Sequence, residues 1–150
     1  VDHEEDGIEI LNEPLKLIGR IDRVDKLKDD EKYFIIDYKM KNGDYRNRRK
    51  QLMLYTYVYN KIKGGNVVFG GCNLLIEEVK YSNLFTIEYE GDDWIADFYK
   101  SKKIRLSEVL ESLRTTVESI KSGIFEPGRI KCRGCSFSNV CGSLIFDFHA

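Results

Sequence analysis

A run of about 20 apolar residues, the length a membrane helix needs, is missing from this chain. So is a charged-then-apolar leader, and neither membrane insertion nor a secretory signal is expected. There is no excess of one charge either. Lys and Arg number 24 against 25 Asp and Glu, a formal net charge of −1, so nucleic acid could be held only by a local patch. Repeats, low-complexity tracts and linkers are absent, and 150 residues are enough for one domain with a real core. The 42% hydrophobic and 33% charged content is that of a globular protein rather than a disordered one. The first residue is Val1, not Met, which suggests a fragment of a longer polypeptide.

A disulfide framework is lacking too. It would need an even set of cysteines spread along a small secreted chain. Here Cys72 stands alone while Cys132, Cys135 and Cys141 crowd into CRGCSFSNVC. The C-x2-C-x5-C spacing suits thiolate ligands for a metal or an iron–sulfur centre, hence a reducing, intracellular compartment. Cys72 lies in an expected core strand and reads as a small buried hydrophobe rather than a ligand.

What is present is a regular alternation of elements. Residues 7–11 and 15–27 alternate apolar and polar side chains as strands do. Residues 28–31 form a turn, 32–39 a strand and 46–62 a helix that is apolar nearly all round, hence largely buried. Lys63-Gly64-Gly65-Asn66 supplies C-cap chemistry. Strands follow at 67–79 and 83–90 around a turn at 80–82, then helices near 93–100 and 107–122, the latter ended by Gly123. The expected fold is α/β, a mixed sheet with helices on its faces and a Cys-rich tail. The boundary is placed between a core, 1–125, and the tail, 126–150.

One strand poses a problem: FIIDYKM (34–40) carries two charges within an apolar run. A two-residue turn at Asp29-Asp30 would set Asp22 directly opposite Asp37, Cβ atoms about 4.5–5.5 Å apart. Like charges so placed repel, and a hard divalent cation such as Mg²⁺ or Mn²⁺ reverses the sign of the interaction. Lys39 projects from the same face, and Ile36 and Tyr38 are expected to pack inward on the other. Two carboxylates and a lysine around a cation suit hydrolysis of a phosphodiester. The plainer alternative is a hairpin with a solvated, charged face. Gln51 and Tyr55 share a helix face and could hydrogen-bond a phosphate or base edge, or be a capping Gln beside a buried Tyr. Arg46, Arg48, Arg49 and Lys50 load the helix start with cations. They would attract phosphate, although a solvated start opposing the helix dipole is the alternative.

GRIDRVD (19–25), IIDYKMKN (35–42) and QLMLY (51–55) together resemble the successive motifs of PD-(D/E)XK nucleases. More narrowly they resemble the RecB/AddB-type nuclease domains of bacterial helicase–nucleases and their exonuclease relatives. The resemblance implies a restriction-endonuclease-like sheet flanked by helices. It implies that Asp22, Asp37 and the backbone carbonyl of Tyr38 hold Mg²⁺, that Lys39 is the catalytic lysine, and that Gln51 and Tyr55 support the active site. Arg46, Arg48, Arg49 and Lys50 would then face DNA. The tail resembles the subset in which three closing cysteines, here Cys132, Cys135 and Cys141, join one far upstream on a 4Fe–4S cluster, with Zn²⁺ as the lesser alternative. That upstream cysteine, and the family's helix with a metal-binding His or acidic residue, have no match; His3 is in the wrong context. The implied function is a Mg²⁺-dependent DNA exonuclease, cytoplasmic, working with a helicase domain or subunit in double-strand-break repair. The rival readings are a nuclease-fold DNA-binding module without catalysis and a metal-stabilised interaction domain.

Overall fold

The computed structural model of the chain describes residues 19–123. The expected strand at 7–11, the opening of the one at 15–27, His3 and the tail cysteines Cys132, Cys135 and Cys141 lie outside them. The chain divides into two compact units after Arg114.

The described residues of the first unit form a six-stranded sheet whose spatial order follows the chain: β1 (Arg23–Lys26), β2 (Tyr33–Lys39), β3 (Val68–Leu75), β4 (Lys80–Glu90), β5 (Asp93–Phe98) and β6 (Ile104–Arg105). Only β2 and β3 run parallel, because the helix α1 (Tyr45–Lys63) carries the chain back between them; every other neighbouring pair is antiparallel. This is the mixed α/β sheet expected. The helix α2 (Leu106–Lys121) follows β6 and buries Leu106 and Val109 in the same core. The described part of the second unit is the remainder of α2 with Ser122 and Gly123, where a left-handed φ of 67° ends the helix. Among the described residues no helix is long and apolar enough to cross a membrane.

Helix α1 starts where Asp44 accepts the N–H groups of Arg46 and Asn47. Such a cap is worth about 1 kcal/mol and offsets the cations of the first turn. It stops at Gly64, whose φ of 72° is open to glycine at no steric cost. The helix is not buried all round as expected. One stripe, Leu52, Met53, Thr56 and Asn60, faces the sheet, while Tyr45 and Ile62 are exposed. Leu52 and Met53 of that stripe share one hydrophobic core with Tyr33 and Ile35 of β2, Phe85 of β4 and Phe98 of β5. Each large apolar side chain fully buried there contributes about 1.5–3 kcal/mol, so packing rather than helix propensity holds α1. The Phe85 ring lies over Gly71, where a Cβ would come within 2.9 Å of it.

Three expectations are corrected. Residues 93–100 are not helical: Trp94, Ala96 and Phe98 are buried and alternate with outward Ile95 and Asp97, a strand period. Gly91-Asp92, with φ of 65° at Gly91, closes a two-residue hairpin from β4, and that dipeptide was the readable signal. The β3–β4 turn falls at residues 76–79 rather than 80–82, because the left-handed Val79 reverses the chain there. Finally, the face of β2 that carries Asp37 and Lys39 is the one α1 covers, with Ile35 on it, while Ile36 is buried on the opposite face.

Candidate active site

The β1–β2 hairpin has the register the sequence implied, although its turn does not. Leu27 N–H bonds to the Lys32 carbonyl, so four residues, 28–31, form the loop instead of Asp29-Asp30 alone. Of the strand expected at 15–27, the described part narrows to β1, so the pairing of Val24 with Ile35 and Arg23 with Ile36 stops at Arg23, and Asp22 lies in the bend just before it. Asp22, exposed at the mouth of the ladder, accepts the Tyr38 N–H on Oδ2 at 2.8 Å. In an extended strand the N–H and C=O of one residue face the same edge, so the Tyr38 carbonyl is turned toward β1 as well.

Asp37 is 2% exposed. Its Oδ2 takes two donors, the Lys39 ammonium at 2.8 Å and the Asn73 amide at 2.6 Å. Burial pushes its carboxyl above the usual range and the Asp22 charge adds to this, while Lys39 and Asn73 pull the other way. The balance leaves a carboxylate still short of positive charge. Lys39 also donates to Gln51 Oε1 at 3.0 Å, and Gln51 Nε2 donates to the Tyr55 hydroxyl at 2.8 Å. Burial raises the Tyr55 hydroxyl, which therefore stays protonated at neutral pH. A continuous chain thus runs Tyr55, Gln51, Lys39, Asp37, and the helix spacing of Gln51 and Tyr55 creates its last link.

This donor set fits a hard divalent cation. Two carboxylates and a main-chain oxygen are the ligands Mg²⁺ or Mn²⁺ prefers, and Mg²⁺ habitually completes its shell with water and substrate phosphate. Among the described residues no group of three His, Cys, Asp or Glu side chains converges, so these residues would supply two carboxylates.

The four cations at the start of α1 are separated by the fold. Arg46 is exposed. Arg48 packs its guanidinium over Gly43, where a Cβ would come within 2.5 Å of it, and its Nη1 is buried without a hydrogen-bond partner. Arg49 turns inward: its Nε donates to Asn83 Oδ1 at 3.0 Å, its Nη1 to Ser101, and its guanidinium lies 5.3 Å from the Phe98 ring centre. Lys50 bonds Ser112. The sequence reading missed Asn73 and Asn83 as parts of the site, and only the strand pairing reveals them. Cys72 is fully buried and its thiol is pushed up to about 11 by desolvation, as suits a core residue. The tail cysteines lie outside the described residues.

The family model described as the PD-(D/E)XK nuclease superfamily matches residues 1–142 of the chain. No curated protein and no solved structure matches it.

Proposed function

Because the chain belongs to the PD-(D/E)XK nuclease superfamily, we propose that it is a Mg²⁺-dependent DNA exonuclease domain of the RecB/AddB type. The observation that carries this is the buried Asp37 carboxylate, shared by Lys39 and set beside Asp22. Members of the superfamily are nucleases that in general use divalent metal ions. Asp22, Asp37 and the Tyr38 carbonyl would hold the ion. Bound there, it would supply an activated water and offset negative charge at the phosphate.

The remaining roles fall to the chain's own residues. Lys39, tied between Asp37 and Gln51, holds its ammonium where charge develops on the scissile phosphate. Gln51 fixes the Lys39 side chain, and Tyr55 fixes Gln51. The exposed Arg46 at the start of α1 is suited to a backbone phosphate. The C-x2-C-x5-C segment supports a 4Fe–4S cluster on Cys132, Cys135 and Cys141, in a reducing cytoplasm, next to a helicase domain or subunit. Cys72, buried in β3, is read as a core residue and not assigned to the cluster.

Degradation of linear DNA in Mg²⁺ that disappears in Asp37→Asn and in Lys39→Ala is the expected result. Undiminished degradation by Asp37→Asn would remove the site assignment, and DNA binding without degradation by the unaltered chain would leave a binding module. For the tail, absorbance near about 400 nm in anaerobically purified protein marks a cluster.

A further inference from the structure

Asp37 receives its second donor from a chain of side chains that lies outside the segments 19–25, 35–42 and 51–55. Asn73 stands opposite Asp37 on the parallel strand β3, fully buried, and donates from Nδ2 to Asp37 Oδ2 at 2.6 Å. Asn83 in turn donates from Nδ2 to Asn73 Oδ1 at 2.8 Å, and Arg49 Nε donates to Asn83 Oδ1 at 3.0 Å. The backbone is shaped for this. Gly71 pairs with Phe85 and Asn73 with Ser82, so Cys72 alone faces both Asn83 and Leu84, a bulge in β4. Asn83 sits there at a left-handed φ of 50°, a conformation asparagine tolerates better than other residues with a side chain.

The direction of these bonds follows from chemistry. A carboxamide offers an acceptor at one end and donors at the other, and nothing in Asn73 alone decides which end meets Asp37. Arginine can only donate. Facing Arg49, Asn83 must present its oxygen there and its NH₂ to Asn73; Asn73 must then accept and present its own NH₂ to Asp37. Because Lys39 and Asn73 both fall on Oδ2, Oδ1 is the carboxylate oxygen offered to a cation.

We propose that Arg49, Asn83 and Asn73 are positioning residues that set the orientation of the Asp37 carboxylate for its metal ion, acting through the polarity of two amides. This rests on the metal-site reading above. The decisive variant is Asn83→Asp, which keeps the volume and the Arg49 contact but leaves no donor for Asn73. The Asn73 amide then lies between two acceptor-only carboxylates that compete for its one NH₂ group, and its oxygen has lost its donor, so its orientation toward Asp37 is no longer fixed.

The test is Mn²⁺ binding to the full chain by calorimetry, with Mn²⁺-dependent DNA cleavage alongside. Asn83→Asp is expected to weaken Mn²⁺ binding about tenfold, the scale of one hydrogen bond to a charged group. It should also lower kcat at limiting Mn²⁺, leave the KM for DNA unchanged and regain rate as Mn²⁺ is raised, a pattern that a general packing defect does not give. Arg49→Met, which keeps much of the contact with Phe98 but loses the obligate donor, is expected to shift Mn²⁺ affinity the same way by about threefold, and it serves if Asn83→Asp does not fold. Ser101→Ala is expected to bind Mn²⁺ like the unaltered chain. Folded Asn83→Asp and Arg49→Met with unaltered Mn²⁺ affinity would overturn the relay. An unaltered chain that binds Mn²⁺ no better than Asp37→Asn would instead overturn the metal site on which the relay depends.

Discussion

Two polar clusters lie beneath α1. Toward the C-terminal end of the helix, Asn60 Oδ1 accepts the N–H groups of Val67 and Val68, each at 3.0 Å, and its Nδ2 donates to the Tyr89 hydroxyl, which bonds back to the Val68 carbonyl. Toward the N-terminal end, Gln51 and Lys39 meet Asp37 and Asn73. The Asn60 cluster is neutral and closes on itself, anchoring the loop that enters β3. The Asp37 cluster is charged and open, since Lys39 keeps 22% of its side chain in solvent and Asp22 is exposed. Both satisfy buried polar groups, but only the Asp37 cluster brings charges together at an opening to solvent.

Substitutions can sharpen or break that contrast. The largest effect is expected of Asp37→Asn: Mg²⁺-dependent DNA degradation falls about 10³-fold or more, while the thermal midpoint of the metal-free chain holds or rises. The sign follows from burial. A carboxyl raised above its unfolded value contributes stability that is complete below the ordinary carboxylate range and lost as pH rises through its folded pKa, so at neutral pH ionised Asp37 weakens the fold. A clear drop in the midpoint would make the open cluster structural after all. Asn60→Ala should do the reverse, costing about 3 kcal/mol by orphaning two backbone N–H groups, with specific activity of the folded fraction unchanged; urea titration beside an activity assay reads both. Gln51→Ala frees Lys39 and should lower kcat about tenfold with stability changed by less than about 0.5 kcal/mol. Asp93, outside both clusters, calibrates the scale. Burial pushes its carboxyl up, but the Trp94 and Ser107 N–H groups, the Ser107 hydroxyl and Arg105 outweigh this and hold it low. Asp93→Ala should cost about 1 kcal/mol, and the difference from the unaltered chain should vanish as pH falls through the lowered pKa.

What could be read from the sequence was local. Asp22, Asp37 and Lys39 follow from period-2 arithmetic within one hairpin, and that register held even though the loop is longer than a two-residue turn. Gln51 and Tyr55 follow from helix spacing. Asn73 and Asn83 were invisible because parallel pairing and a bulge bring them to Asp37, and neither leaves a periodic trace. Arg49 was grouped with its neighbours by charge, yet a helix turns each successive residue by about 100°, so adjacent cations face different surroundings. The β5 strand was missed because residues 93–100 were expected to be a helix, when Gly91-Asp92 is a hairpin turn.

The edge position of β1 has a consequence for how the two carboxylates are maintained. Among the described strands β1 is four residues long and bonds only to β2, whereas β2 is locked between β1 and β3. Local opening therefore releases the Asp22 half far more readily than the Asp37 half. One carboxylate is a permanent fixture, while the other belongs to a hairpin arm that can lift away and return. An ion shared by the two would fasten that arm, making the outermost strand of the sheet the part of the fold most sensitive to the ion's presence.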